Sequence, residues 1–198
     1  MEQITKLCAD SLRTFVNDQY DIKLKPTHAH ELVAAYFGYN SNAALRADTV
    51  APITNLRQAS ILVLAPTAPI DLRRQELEGL SPDLPDTYTL GEGVYSALIS
   101  EKWILSTPWP VFELLAKALA DEHLHQQNLA GAYRSPVREG VKVERRENSV
   151  QLIVLRTYQL PSNHGSVHES KITTTINLLR VAGHIGYGKP EVLVDMES

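Results

Sequence analysis

Apolar residues in the opening stretch recur every three or four positions, at Ile4, Leu7, Cys8, Leu12, Phe15 and Val16. That spacing predicts an amphipathic helix ending near Asp18, with Cys8 a small hydrophobe on its buried face. A second apolar face, formed by Leu32, Val33, Tyr36 and Phe37, predicts a helix capped by Thr27 and stopped by a left-handed Gly38. Ser41 is placed to cap a third, shorter helix over NAALRAD. None of these helices buries its apolar face alone, so residues 1–50 are expected to form a three-helix module.

Residues 51–136 keep a mainly helical pattern broken by prolines. Pro52, Pro66 and Pro69 bracket the apolar ILVLA, which reads as a short extended piece. Asp71 is expected to cap a helix over LRRQELEG that stops at Gly79. Thr89 and Glu92 have capping-box spacing and open a helix through Tyr95, Leu98 and Ile99 to about Lys102, its first turn weakened by Gly91 and Gly93. TPWP opens a longer helix to about Leu129, with Val111, Phe112, Leu115, Ala118 and Leu119 as its apolar stripe.

From residue 137 the period falls to two. VKVERR and SVQLIVLRTYQL predict a hairpin turning at Glu147 and Asn148, its second strand apolar on both faces at the centre. KITTTINLLRV and EVLVDM supply a third and a fourth strand. The fold class is therefore α+β: a helical N-terminal portion followed by a C-terminal antiparallel sheet over residues 137–198, all three segments packed as one compact unit.

The run THAHELVAAYFGYNSNAALRAD, about a tenth of the chain, resembles a small helical domain of plasmid and integrative-element proteins and of bacterial proteins labelled glyoxalase-related. LAPTAPIDLRRQELEGLSPDLPDTYTL is similar to other proteins of that kind. The resemblance implies an accessory bacterial protein of a mobile element and brings no catalytic residue with it.

Composition adds exclusions. Hydrophobic residues at 43% and charged residues at 21% require a packed core and rule out wholesale disorder. A net charge of -4 removes the general electrostatic case for a nucleic-acid or anionic-membrane binder. The single Cys8 forms no internal disulfide, the start lacks a basic segment followed by an apolar one, and no apolar run nears the roughly 18 residues of a membrane span, so the expected location is the cytoplasm.

Candidate chemistry is incomplete wherever it occurs. GHIGYGKP matches a phosphate-binding loop up to Lys189, then places Pro190 where the magnesium-binding hydroxyl belongs, and so reads as an inter-strand turn. Glu122 and His125 have the helical spacing of a metal pair; the angular spacing sets Glu122 near the centre of the apolar stripe, unless the core ends near Leu119 and the last turns project into solvent. His28 and His30 lie about 200° apart around their helix and cannot share a metal. His164 and His168 fall in PSNHGSVHES, read as a long connection suited to meeting a partner. For nucleic acid the candidates are Arg46, in a helix-turn-helix reading of residues 26–48, and Lys142, Arg145 and Arg146 on the hairpin. No cofactor is expected. The leading reading is a non-enzymatic accessory protein that binds another protein; the alternatives are a helix-turn-helix nucleic-acid regulator and a metal-dependent enzyme using Glu122 and His125.

Overall fold

The computed structural model describes residues 2–104, 107–126, 136–161 and 167–197. The chain is α+β and divides into two compact units: Met1–Pro108 with Arg180–Gly188, and Trp109–Leu179 with Lys189–Ser198. The dividing points differ from the expected 50 and 136, because the helix after Pro110 belongs with the sheet instead of with the helices before it.

The first unit contains α1 (Glu2–Tyr20), α2 (Pro26–Tyr36), α3 (Asn42–Ala47), a 3-10 turn (Ile53–Gln58), β1 (Ile61–Leu62), α4 (Thr67–Glu76) and α5 (Thr87–Ser100). Its core is continuous through Leu12, Val16, Leu32, Phe37, Leu56 and Leu90, all at most 1% exposed. Cys8 lies in that core, and burial pushes its thiol up to about 12, which leaves it protonated and inert.

Several helix starts differ from those expected. Thr27 is not a cap: α2 begins at Pro26, whose fixed φ suits the first helical position, and Lys25 precedes it with no side-chain cap. Asp71 lies inside α4, which begins at Thr67, because Pro69 falls in the first turn where a missing N–H breaks no helical bond. α5 begins at Thr87 under Asp86, whose carboxylate accepts from the Thr89 N–H at 3.0 Å and the Thr89 hydroxyl at 2.8 Å. Ser41 does cap α3, accepting from the Ala44 N–H at 3.1 Å.

Gly93 strengthens the packing of α5. A Cβ there would stand 3.1 Å from three atoms of Phe15, so its absence lets α1 and α5 close on each other. Gly38 ends α2 at φ +85°, and the turn after β4, Gly183–Ile185, sits against it: the His184 N–H donates to the Phe37 carbonyl at 3.1 Å. In GHIGYGKP it is Gly183, not Gly188, that takes a left-handed φ. The chain then forms β5 (Gly186–Tyr187), and after Lys189 and Pro190 comes a strand, where a phosphate loop would lead into a helix. β5 pairs with β1 and with the end of β4 to make a small antiparallel sheet in this unit.

The second unit holds α6 (Phe112–Gln126) and an antiparallel sheet in the order β2-β3-β4-β6. These strands are β2 (Arg138–Arg145), β3 (Ser149–Pro161), β4 (Val167–Ala182, of which 167–179 lie in this unit) and β6 (Glu191–Glu197). Register couples Val150, Leu152 and Val154 to Leu178, Ile176 and Thr174, all buried on one face. α6 covers that face with Phe112, Leu115, Ala116, Ala120 and Leu124. The expected stripe is therefore rotated: Val111 is exposed, and Glu122 points to solvent instead of sitting at the stripe's centre. β3 is likewise apolar on both faces but covered on one, since Leu155 is 51% exposed on the other. PSNHGSVHES is not a long loop, because β3 reaches Pro161 and β4 begins at Val167, which pair with each other.

Replacing Gly38 by Ala combines a left-handed φ with a Cβ 2.5 Å from His184 Cβ. The expected loss is about 2–4 kcal/mol of unfolding free energy, read by urea denaturation. Gly140→Ala, with nothing within 4 Å of its Cβ position, is expected to leave stability unchanged or raise it by up to about 1 kcal/mol.

Candidate functional site

α5 carries two stripes. Leu90, Val94, Ala97 and Leu98 face the core, whereas Tyr88, Glu92, Tyr95 and Ile99 recur at helical spacing on another side. The second stripe, with Ile70 of α4 and with Leu64 and Ala65 after β1, lines a cleft of about 330 Å³. Tyr88 is 75% exposed and Ile99 57%, so two large apolar side chains stand at its mouth. Glu92 is the only charged residue among the described residues of the lining.

A hydrogen-bond network fixes the floor. The Tyr36 hydroxyl donates to the Thr87 carbonyl, and the Tyr95 hydroxyl donates to the Tyr36 carbonyl at 3.3 Å. The Thr87 hydroxyl donates to Asp71 and accepts from Arg74 at 3.0 Å, and Arg74 also donates to the Leu84 carbonyl at 3.2 Å. Burial pushes the Tyr36 and Tyr95 hydroxyls well above the ordinary phenol range, so both remain protonated donors. With its hydroxyls committed to backbone carbonyls, the floor is built to hold a shape rather than to transfer a proton. The sequence reading missed this cleft, although the spacing of Tyr88, Tyr95 and Ile99 beside a separate buried stripe was the signal for it.

Two charged clusters are structural. Asp48 follows α3 and accepts from the Val50 N–H at 2.9 Å, the Ala51 N–H at 3.0 Å, the Tyr39 hydroxyl at 2.5 Å and the Arg180 guanidinium. Burial alone would raise its pKa, but the Ala51 N–H, Tyr39, Arg180 and the Val50 N–H together hold it below the usual carboxylate range. In the second unit Arg156, 5% exposed, pairs with Asp121 at 2.7 Å and Glu139 at 2.8 Å, and Lys117 reaches Glu139 at 2.5 Å. That set fastens α6 to β2 and β3 across the buried face.

The residues singled out by sequence are scattered. Glu122 and His125 both lie exposed on α6; Glu122 accepts from Gln126 at 3.2 Å, and the shallow hollow beside it is lined by His123 and not by His125. Among the described residues no three metal-ligating side chains converge. Lys142 pairs with Glu144 at 2.6 Å, Arg146 donates to Gln151 at 2.9 Å, and Arg145 lies 5.5 Å over the Phe112 ring, so the hairpin cations are partly neutralised and split between the two faces. Arg46 is exposed on α3, which at six residues is under two turns and short for a recognition helix. It shares a polar hollow with Lys6, His30 and Asn42. His168 lies in β4 opposite Leu160, and His164 is outside the described residues. No helix among the described residues is long and apolar enough to cross a membrane.

Compared with protein-family models, with curated proteins and with solved structures, the chain matches none.

Asp48→Asn is expected to cost about 3 kcal/mol by leaving Arg180 without its charge partner. A carboxylate whose folded pKa is depressed stabilises the fold above its unfolded value and loses that contribution as pH falls through the folded one. The difference in urea midpoint between wild type and Asp48→Asn should therefore be constant above about pH 5 and shrink progressively below about pH 4.

Proposed function

We propose that this chain is a non-enzymatic accessory protein that works by binding a protein partner through the α4–α5 cleft. The observation that carries the reading is an open apolar cleft flanked by the exposed Tyr88 and Ile99 on a floor whose tyrosine hydroxyls are committed to backbone carbonyls. An exposed aromatic beside a preformed apolar hollow is the usual composition of an interface hot spot, and water leaving it supplies the affinity. Glu92, the one charge among the described residues of the lining, selects a partner segment that sets a Lys or Arg next to its apolar anchor. The role within a bacterial mobile element rests on the resemblance of residues 27–48 and is part of the proposal.

The test is affinity capture from bacterial extract, followed by titration of the captured protein after purification. Tyr88→Ala is expected to weaken binding about thirty-fold, the loss of a hot spot worth about 2 kcal/mol. Ser96→Arg, which places bulk and charge over the cleft, is expected to abolish it, whereas Lys189→Ala leaves it unchanged. Equal binding by wild type and both cleft variants, or turnover of a small molecule by the purified chain, would refute the reading.

A further inference from the structure

The four-stranded sheet of the second unit ends in two unlike edges. Among the described strands β2 pairs with β3 alone and β6 with β4 alone, so each offers a row of backbone donors and acceptors along its outer side. On the face away from α6, β2 presents Arg138, Lys142 and Glu144, with Arg146 just beyond its end, whereas β6 presents Glu191, Leu193, Asp195 and Glu197. β6 contains no basic residue, and its neighbours across β4 opposite Glu191 and Asp195 are the uncharged Asn177 and Thr173. The two edge strands run in opposite directions, so β6 of one copy laid beside β2 of another continues the antiparallel order.

The side-chain pattern then selects a register. Each face must stay on its own side, which forbids a slip by one residue. The alignment with Lys142 opposite Asp195 also sets Arg146 opposite Glu191. On the covered face it sets Val141 opposite Met196 and Val143 opposite Val194. No like charges face each other in it. A shift of two residues one way opposes Glu144 to Glu191, and the other way Glu144 to Asp195, each placing two carboxylates together, while a shift of four, which pairs Arg138 with Asp195 and Lys142 with Glu191, brings Pro190, without an N–H, into the ladder opposite Val143. Met196 is 50% exposed and would gain an apolar neighbour. We propose that this chain self-associates head to tail, β2 of one copy adding to β6 of the next in the register that pairs Lys142 with Asp195 and Arg146 with Glu191. Lys142 leaves its internal contact with Glu144 for this, a contact made at a side chain 68% exposed and therefore weakly held. Because the two contacting surfaces differ, the contact does not close on itself, and further copies can add at either end.

Analytical ultracentrifugation of the full chain tests this. Wild type is expected to rise above the monomer mass of 22.0 kDa with increasing concentration and to return towards it in high salt. Lys142→Glu with Arg146→Glu leaves two acidic edges, and Glu191→Lys with Asp195→Lys leaves two basic ones. Each double variant should stay monomeric where wild type associates, and an equimolar mixture of the two should associate again. The neutralised single variants Lys142→Gln and Asp195→Asn should each weaken association in the same direction. A wild type that is monomeric at every concentration overturns the proposal. So does either double variant associating like wild type, which would point to pairing of β2 with itself or to stacking of the open face, and so does a mixture that stays monomeric.

Discussion

The carboxylate of Asp48 organises the first unit. It terminates α3, turns the chain through Val50 and Ala51 towards the 3-10 turn, and receives the Tyr39 hydroxyl from the α2–α3 connection and Arg180 from the end of β4. Four donors on one largely buried acid favour its charged form and tie the neighbouring stretches around Tyr39 and Asp48 to Arg180, distant in sequence. The turn after β4 is then held against the end of α2, with the Gly183 N–H donating to the Ala51 carbonyl at 2.7 Å and the His184 ring lying edge-on to Tyr39 at 4.9 Å. The exact seating of Gly38 under His184 follows from that anchoring.

What the sequence showed and hid follows from the range of each interaction. α1, the cap at Ser41, the stop at Gly38 and the hairpin at Glu147 and Asn148 depend on residues within a few positions of one another, and local periodicity exposes them. The start of α4 was misjudged because Pro69 reads as a breaker, while in a first turn its missing N–H is harmless. The face of α6 was misjudged because Ala116 and Ala120 are small enough to lie flat on a sheet, and alanine carries little weight in an apolar stripe read by eye. Alternation along β3 puts Arg156 on the buried face, where Asp121 and Glu139 make its burial tolerable. Glu122 and His125, first chosen for metal, belong to no group of three metal-ligating side chains among the described residues.

Several polar side chains of the interior are committed to architecture. Tyr36 and Tyr95 donate to backbone carbonyls, and the charges around Arg156 and Asp48 are shared within their own clusters. What remains open is surface of two kinds, the aromatic side of α5 and the uncovered side of a sheet whose Leu155 and Leu193 stay in contact with water. Surfaces of that kind act by being covered, which is why the functional reading falls on recognition.

β4 is one strand that serves both units, giving residues 167–179 to one and 180–182 to the other, and the chain then returns through β5 before re-entering the second unit at Lys189. The first unit is consequently discontinuous in the gene's order. A ribosome that has made α1 to α5 has not yet made Arg180 or β5, and Asp48 must wait through the synthesis of about eighty further residues for its counter-charge. During that interval the nascent helices carry an acid without its counter-charge and a β1 edge without its partner, both completed only as the last twenty or so residues appear.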